Sequence, residues 1–295
     1  MKQKLKSALA VFFLHLIAAL PESVTKALAH AAAWLLWQIN SKSRRITEVN
    51  LRLSFPQMPQ AELQQLAKNS LLETSKTALE MPICMLKADK NALKISKVTN
   101  RHLVEEALNK GRGAIVIAPH IGNWEFLGED LAQHFPITNL YKPSKIPAIN
   151  EIIKAGRRVN GSKLEPTNKK GVFNLLKNLK KGELIGILPD QIPDSDNGTV
   201  FAPFFGQSTA TMTLISNFLQ RTKSAAVMGM AKRLADGSFE VIYMDVDEDI
   251  YSADLQTSVN ALNRSVEKIV LLAPAQYQWE YKRFKKGPDG RRNIY

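Results

Sequence analysis

Apolar positions along the chain recur with two periods. In Gln60 to Glu80 the spacing of Leu63, Leu66, Ala67, Leu71 and Leu79 fits one face of a helix. The whole stretch before Arg101 is therefore expected to be helical. From Leu103 the pattern alternates between short apolar runs and longer amphipathic ones. A helix to Asn109 precedes a strand at 114–118, a helix at 124–133 and a strand at 137–141. Helices at 148–159 and 172–180 follow, then a strand at 184–188. Beyond an expected loop from Asp190 to Gly206 come a helix at 211–221, strands at 225–231 and 239–246, and a helix at 255–272. Apolar strands separated by helices predict an α/β fold whose mixed, largely parallel sheet is flanked by helices. No internal repeat or low-complexity linker interrupts residues 41–295, which read as one catalytic domain.

Residues 1–40 have a different character. Lys2, Lys4 and Lys6 precede an apolar run from Ala8 to Leu20 broken only by His15; after Pro21, a second apolar helical pattern runs from Val24 to Ile39. Neither piece supplies the ~20 uninterrupted apolar residues of a spanning helix. Three readings compete: a cleaved signal peptide, one short or kinked anchor, and a pair of helices lying partly in a membrane. Lys42, Arg44 and Arg45 add basic residues on the far flank, which suits contact with anionic headgroups.

With 45% hydrophobic and 23% charged residues in 295, the chain can build a substantial core. Its one cysteine, Cys84, lies in an apolar setting and reads as a core residue. The formal charge of +13 is unevenly spread. Eleven Lys or Arg between Lys142 and Lys181 face two acids, and the tail from Lys282 adds six more; Asp236 to Asp254 carries seven acids and no base. A field so directed fits an anionic partner: nucleic acid, lipid headgroups or an acidic carrier protein. Nucleic acid is the weakest of these, because no zinc-finger, RNP-type or helix-turn-helix signal is present.

The most informative string is Ala118-Pro119-His120-Ile121-Gly122-Asn123-Trp124-Glu125, placed between the strand at 114–118 and the following helix. A histidine at a strand's carboxyl end, followed by a carboxylate, is a candidate base with an orienting acid. In a continuous helix five positions turn the direction by about 140°, which would separate the pair. Pro119 and Gly122 instead predict a bend, with Asn123 as N-cap and Glu125 reaching back to His120 from the first turn. A bare His-x4-acid pair more often marks a structural histidine beside a cap; the full strand-turn-helix context points to chemistry. Other classes are poorly served. There is no Gly-x-Ser-x-Gly elbow, His-Glu-x-x-His helix or glycine-rich nucleotide loop, and five scattered histidines give no metal constellation.

These residues resemble the lipid A late acyltransferases of Gram-negative bacteria, the lysophospholipid-acyltransferase branch with a His-x4-Asp/Glu motif. Further pieces fall in the family's order: Tyr141-Lys142-Pro143 for Tyr-Arg-Pro, Arg157 with Gly161 for Arg-x3-Gly, and Leu188-Pro189-Asp190-Gln191 with Phe204-Phe205-Gly206 for the paired motifs that follow. Ala273 to Trp279 and Arg283-Phe284-Lys285 resemble its closing motifs, so the likeness runs from Leu103 to Tyr295. Two positions depart from it. Lys142 offers a point charge where the family has a guanidinium fork, and the Val227 to Met230 strand end lacks a proline.

The resemblance implies acyl transfer from an acyl carrier protein thioester to a hydroxyl of a lipid A precursor, at the cytoplasmic face of the inner membrane. It implies no cofactor or metal beyond the thioester co-substrate. A cytosolic donor argues against a cleaved signal peptide and leaves the anchor type open. His120 is expected to act as general base, oriented by Glu125. Arg157, Gly122, Asn123, Asp190, Gln191 and Lys142 are expected to bind substrate or the oxyanion, Phe204 and Phe205 to line an acyl channel, and Arg283 to meet headgroups. The alternatives are another glycerolipid or glycolipid acyltransferase of the superfamily, or a nonenzymatic protein that binds membranes through its basic patch.

Overall fold

Two apolar runs, Ala114–Ile117 and Leu184–Ile187, are buried along their whole length and pair side by side in parallel at the centre of the molecule. Such unbroken burial is the mark of a parallel strand covered on both faces. The structure, a computed structural model, describes residues 2–159, 161–193 and 198–295.

The chain begins with four helices, α1 (Lys2–Ala19), α2 (Glu22–Gln38), α3 (Lys42–Ser54) and α4 (Gln60–Leu86). There follow β1 (Ile95–Thr99), α5 (His102–Asn109), β2 (Ala114–Ile117), α6 (Trp124–His134), β3 (Ile137–Tyr141), α7 (Pro147–Val159), β4 (Lys163–Pro166), α8 (Lys169–Lys180) and β5 (Leu184–Ile187). The remainder comprises β6 (Thr199–Phe204), β7 (Gln207–Met212), α9 (Leu214–Thr222), β8 (Ala225–Arg233), β9 (Phe239–Asp245) and α10 (Leu255–Val270). Side chains close several helix starts: Ser41, Asn123, Asn168 and Asp254 each accept a backbone N–H of the first turn.

Seven strands form one sheet in the order β1-β9-β8-β2-β5-β3-β4. Its neighbours are parallel except β8 and β9, which run antiparallel. This is the mixed, largely parallel sheet that the sequence pattern predicts. Alternate residues of each strand feed different cores. Ile115, Ile117, Ile185 and Ile187 join one apolar cluster with α9 and α10, while Ala114, Val116 and Leu184 join another with α6.

Several elements depart from expectation, among them β4, which falls between two expected helices. β1 lies in the stretch expected to be helical, with its side chains half exposed at the sheet's edge. The segment from Asp190 to Gly206 is not loop throughout, because β6 pairs with β7 in a separate antiparallel hairpin. The following helix accordingly starts at Leu214, and Ser208 and Thr209 sit in β7. The reason is the turn. Phe205 and Gly206 both take positive φ, 47° and 74°, the conformation of a tight hairpin that a phenylalanine seldom adopts.

α1 and α2 pack against α4 through small residues, with Ala18, Ala29 and Ala33 buried. Their outer faces leave Phe12, Phe13, Trp34, Leu35 and Ile39 exposed. Among the described residues no single helix is long and apolar enough to cross a membrane; α1 and α2 form a pair bent by 118°.

Candidate active site

The pairing of β2 with β5 sets Ile117 opposite Ile187. Three residues beyond each partner stand His120 and Asp190, so the parallel register delivers both to the carboxyl edge of the sheet, where sites in α/β folds gather. Asp190 Oδ1 lies 2.8 Å from His120 Nδ1, and Oδ2 accepts the backbone N–H of His120 at 2.9 Å. One carboxylate thus fixes the ring and the chain that carries it. Asp190 is buried. Burial alone would raise its pKa, but the charge of His120 and the hydrogen bonds from its ring and backbone outweigh that and hold it below the usual carboxylate value. With Nδ1 turned to the carboxylate, His120 Nε2 points away, 3.2 Å from Gln191 Nε2. Trp124 meets the imidazole edge to face at 5.0 Å.

The turn that holds His120 is pinned from three directions. The His120 carbonyl accepts from Gln278 N at 2.9 Å, and Gly122 N donates to the Gln276 carbonyl at 2.9 Å. The Gly122 carbonyl accepts from Thr77 Oγ1 at 3.1 Å, and Asn123 N donates to the Ala231 carbonyl at 3.0 Å. A side chain at Gly122 would bring its Cβ to 1.9 Å from the Ala231 oxygen, and φ there is +61°. The fully buried Asn123 caps α6 through Oδ1, while its Nδ2 donates to Glu80 at 2.9 Å. Glu80 is gripped in turn by Arg233, a buried guanidinium that also binds Glu73 and Thr77.

Glu125 does not reach His120. It faces Arg157 of α7, accepting from Nε at 2.9 Å and from Nη2 at 2.6 Å in a bidentate pair. Burial alone would lower the Arg157 pKa, but the charge and hydrogen bonds of Glu125 hold it above its usual value. The expectation that Glu125 orients the imidazole is thus corrected. Glu125 sits in the first turn of α6, directed towards α7, and the place at Nδ1 is taken by Asp190.

His120, Trp124, Glu125, Arg157 and Gln191 open onto one cavity of about 1200 Å³. Its apolar walls divide by the face of the sheet. On one side stand Cys84, Val116, Leu127 and Leu131, members of the α6 core; on the other are Val172, Ile187, Met212 and Leu214, from or against the second core. Lys142, Asn168, Lys169, Asn217 and Lys285 also line the cavity. Cys84 is buried, as its apolar surroundings predict, and burial pushes its thiol well above the usual value.

Residues 2–286 match the sequence model of bacterial lipid A biosynthesis acyltransferase. The chain belongs to that acyltransferase family. It is 26% identical over 285 residues to a lipid A biosynthesis lauroyltransferase of Escherichia coli K12, covering 96% of this chain and 92% of the relative. A lipid A biosynthesis acyltransferase of Haemophilus influenzae is 28% identical over 92% and 88% of the two chains. A lipid A biosynthesis palmitoleoyltransferase of E. coli K12 is 27% identical over 85% and 81%. The family match takes in α1 and α2 as well, beyond the region where the motifs begin.

Several residues of the family's motifs stand elsewhere than the sequence suggests. Gly122 N–H is spent on Gln276 and the Asn123 side chain on Glu125 N–H and Glu80, so neither donor faces the cavity as an oxyanion or substrate ligand. Phe204 is fully buried against Tyr277 and Phe284, and Phe205 packs against Phe55 and Trp279 with tilted rings; both serve the core, not the cavity wall. Arg283 is buried and donates to the Ala210 carbonyl and the Thr211 hydroxyl, which removes it from headgroup contact. Lys142, Arg157 and Gln191 do line the cavity. The Glu80–Arg233 support escaped sequence reading altogether, since nothing in an isolated Glu or Arg signals a partner about 150 residues away.

Proposed function

We propose that this acyltransferase moves a fatty acyl chain from an acyl carrier protein thioester to a hydroxyl of a lipid A precursor, with His120 as general base. The observation that carries the reading is the Asp190–His120 pair at the cavity's edge, with the second ring nitrogen turned away from the carboxylate. Asp190 keeps the proton on Nδ1, so the Nε2 lone pair takes the proton of the acceptor hydroxyl as its oxygen attacks the thioester carbonyl. The carboxylate then stabilises the imidazolium. Collapse of the tetrahedral intermediate breaks the carbon–sulfur bond, and the departing thiolate recovers the proton from Nε2. No acyl-enzyme forms.

Arg157 uses Nε and Nη2 on Glu125. Its remaining terminal nitrogen is the donor suited to the developing oxyanion or to an acceptor phosphate. Glu125 holds that guanidinium in place and so acts as a positioning residue. The acceptor's phosphorylated sugar suits the lysines that line the cavity, Lys142, Lys169 and Lys285. The exposed apolar faces of α1 and α2, beside basic flanks, suit attachment to a membrane containing anionic lipid, with the site reached from the cytoplasmic side.

The test is incubation with acyl carrier thioester and a defined tetra-acylated lipid A precursor. Acyl transfer by the wild type, lost with His120→Ala in a folded protein, is the expected result. An acyl adduct on the protein after donor alone, seen by mass spectrometry, would contradict direct transfer.

A further inference from the structure

The α6 side of the cavity contains a position whose residue type the helix does not explain. Gly128 sits in the middle of α6 and lines the cavity. A glycine inside a helix is unfavourable relative to alanine, and here no close approach requires it, because a Cβ built at Gly128 meets no atom within 4 Å. The contrast with Gly156 of α7 is direct: there a Cβ would press to 2.5 Å from the Met85 backbone oxygen. Gly156 lets two elements touch, whereas Gly128 keeps a space empty.

That space is a slot. Trp124, Gly128, Leu131 and Ala132 follow one another along the cavity-facing side of α6, over about 12 Å at 1.5 Å per residue. Cys84 and Met85 at the end of α4, with Ile153 of α7, also line the cavity. The catalytic end lies at Trp124, against the His120 ring. Two carboxylates on α6 that line the cavity are engaged: Glu125 with Arg157, and Glu129 with Gln133. A chain whose reacting carbonyl stands at His120 can therefore continue into apolar surroundings past Gly128.

We propose that Gly128 is a specificity-determining residue: its missing side chain keeps this slot open for the donor's acyl chain and so sets the longest chain accepted. The inference rests on the acyltransferase reading above and adds the place where the acyl chain lies. The relatives' names, lauroyltransferase and palmitoleoyltransferase, differ in acyl chain length.

The full-length protein, with Gly128→Ala and Gly128→Met beside the wild type, is assayed with decanoyl, dodecanoyl, tetradecanoyl and hexadecanoyl carrier thioesters and one acceptor. One methylene in a fitted apolar pocket discriminates by about 10–200-fold. Gly128→Met is therefore expected to lower kcat/KM for the longest accepted thioester about tenfold or more while sparing the shortest, and Gly128→Ala to fall between. A wild type that turns over no thioester overturns the acyltransferase reading and this inference with it. An active wild type whose length profile both variants reproduce overturns the inference alone. Should Gly128→Met fail to fold by circular dichroism, Gly128→Ala carries the decision, since its methyl group enters open space.

Discussion

His120 and Asp190 stand at equal height above the sheet, each three residues past one member of the Ile117–Ile187 pair of the β2–β5 ladder. Seventy residues separate them in sequence, yet their contact follows directly from parallel register. On the proposed mechanism, the consequence for turnover is specific to the acid at Nδ1. Asp190→Asn keeps the shape but accepts poorly from Nδ1–H and favours the wrong tautomer, so kcat should fall by about 10²–10⁴-fold, close to the loss from His120→Ala. Glu125→Gln, which leaves the imidazole alone, should cost less in kcat. Steady-state kinetics of the three variants would reject this assignment if Glu125→Gln proved the most damaging.

The Glu125–Arg157 pair predicts strong coupling. Removing one partner of this partly buried bidentate pair leaves the other charge poorly compensated, at a cost below the ~3–5 kcal/mol of a fully buried pair. Glu125→Ala and Arg157→Ala should each destabilise the fold, and the double variant should recover part of the loss. Arg157→Lys keeps a charge but not the fork. It should retain stability better than Arg157→Ala while still losing turnover. Denaturant unfolding of the wild type, the two alanine variants and the double variant measures the coupling; additive losses would show that the pair contributes nothing as a unit.

These relationships also explain what was legible in the chain. Ala114–Ile117 and Leu184–Ile187 announce themselves because a strand covered on both faces must be apolar throughout. Ile95–Thr99 and Lys163–Pro166, at the two edges of the sheet, have half-exposed or exposed side chains and send no such signal. The β6–β7 hairpin was hidden by its turn, since Phe205 in a left-handed conformation is the opposite of an Asn-Gly cue. Within the site, His120 was legible from its strand-turn-helix setting. Its orienting acid was not, because proximity in sequence favours Glu125 and only the register of a folded sheet brings Asp190 across.

Asp190 also predicts a dependence of stability on pH. Its pKa in the folded protein lies below the ordinary value, so the folded state binds this proton less readily than the unfolded chain. The stabilisation is fully present above the ordinary carboxylate pKa and is lost as pH falls through the folded value. The wild type should therefore exceed Asp190→Asn in Tm near neutrality, with the gap narrowing below about pH 4. A gap that stayed constant through acid would remove the ionised carboxylate from the account.

Gly122 should tolerate no side chain. Its left-handed backbone costs about 1–2 kcal/mol for an L-residue, and the Cβ would lie 1.9 Å from the Ala231 oxygen. Relief requires breaking the bridge between the His120 turn and β8, which displaces the base as well. Gly122→Ala is expected to lower Tm and to reduce kcat more than global stability explains. Activity equal to the wild type at a temperature where the variant is fully folded would contradict this role.

The amino-terminal helices carry a prediction about the proposed membrane attachment. Trp34 and Leu35 are more than half exposed on α2, and Phe12 and Phe13 on α1, where no protein core covers them. Burying one such side chain is worth about 1.5–3 kcal/mol, so replacing two should lower vesicle partitioning by about 10²-fold or more. Phe12→Glu with Phe13→Glu should release the protein from vesicles containing anionic lipid, at low and high salt alike, because the lost contacts are apolar. Neutralising Lys42, Arg44 and Arg45 should instead weaken binding only at low salt, where headgroup attraction is unscreened. Arg44 also pairs with Glu48 and stacks on Trp37, so Tm is measured alongside to separate folding from attachment. Flotation with the charge variant released and the phenylalanine variant retained would reverse the assignment, making the basic flank the anchor and the apolar faces incidental.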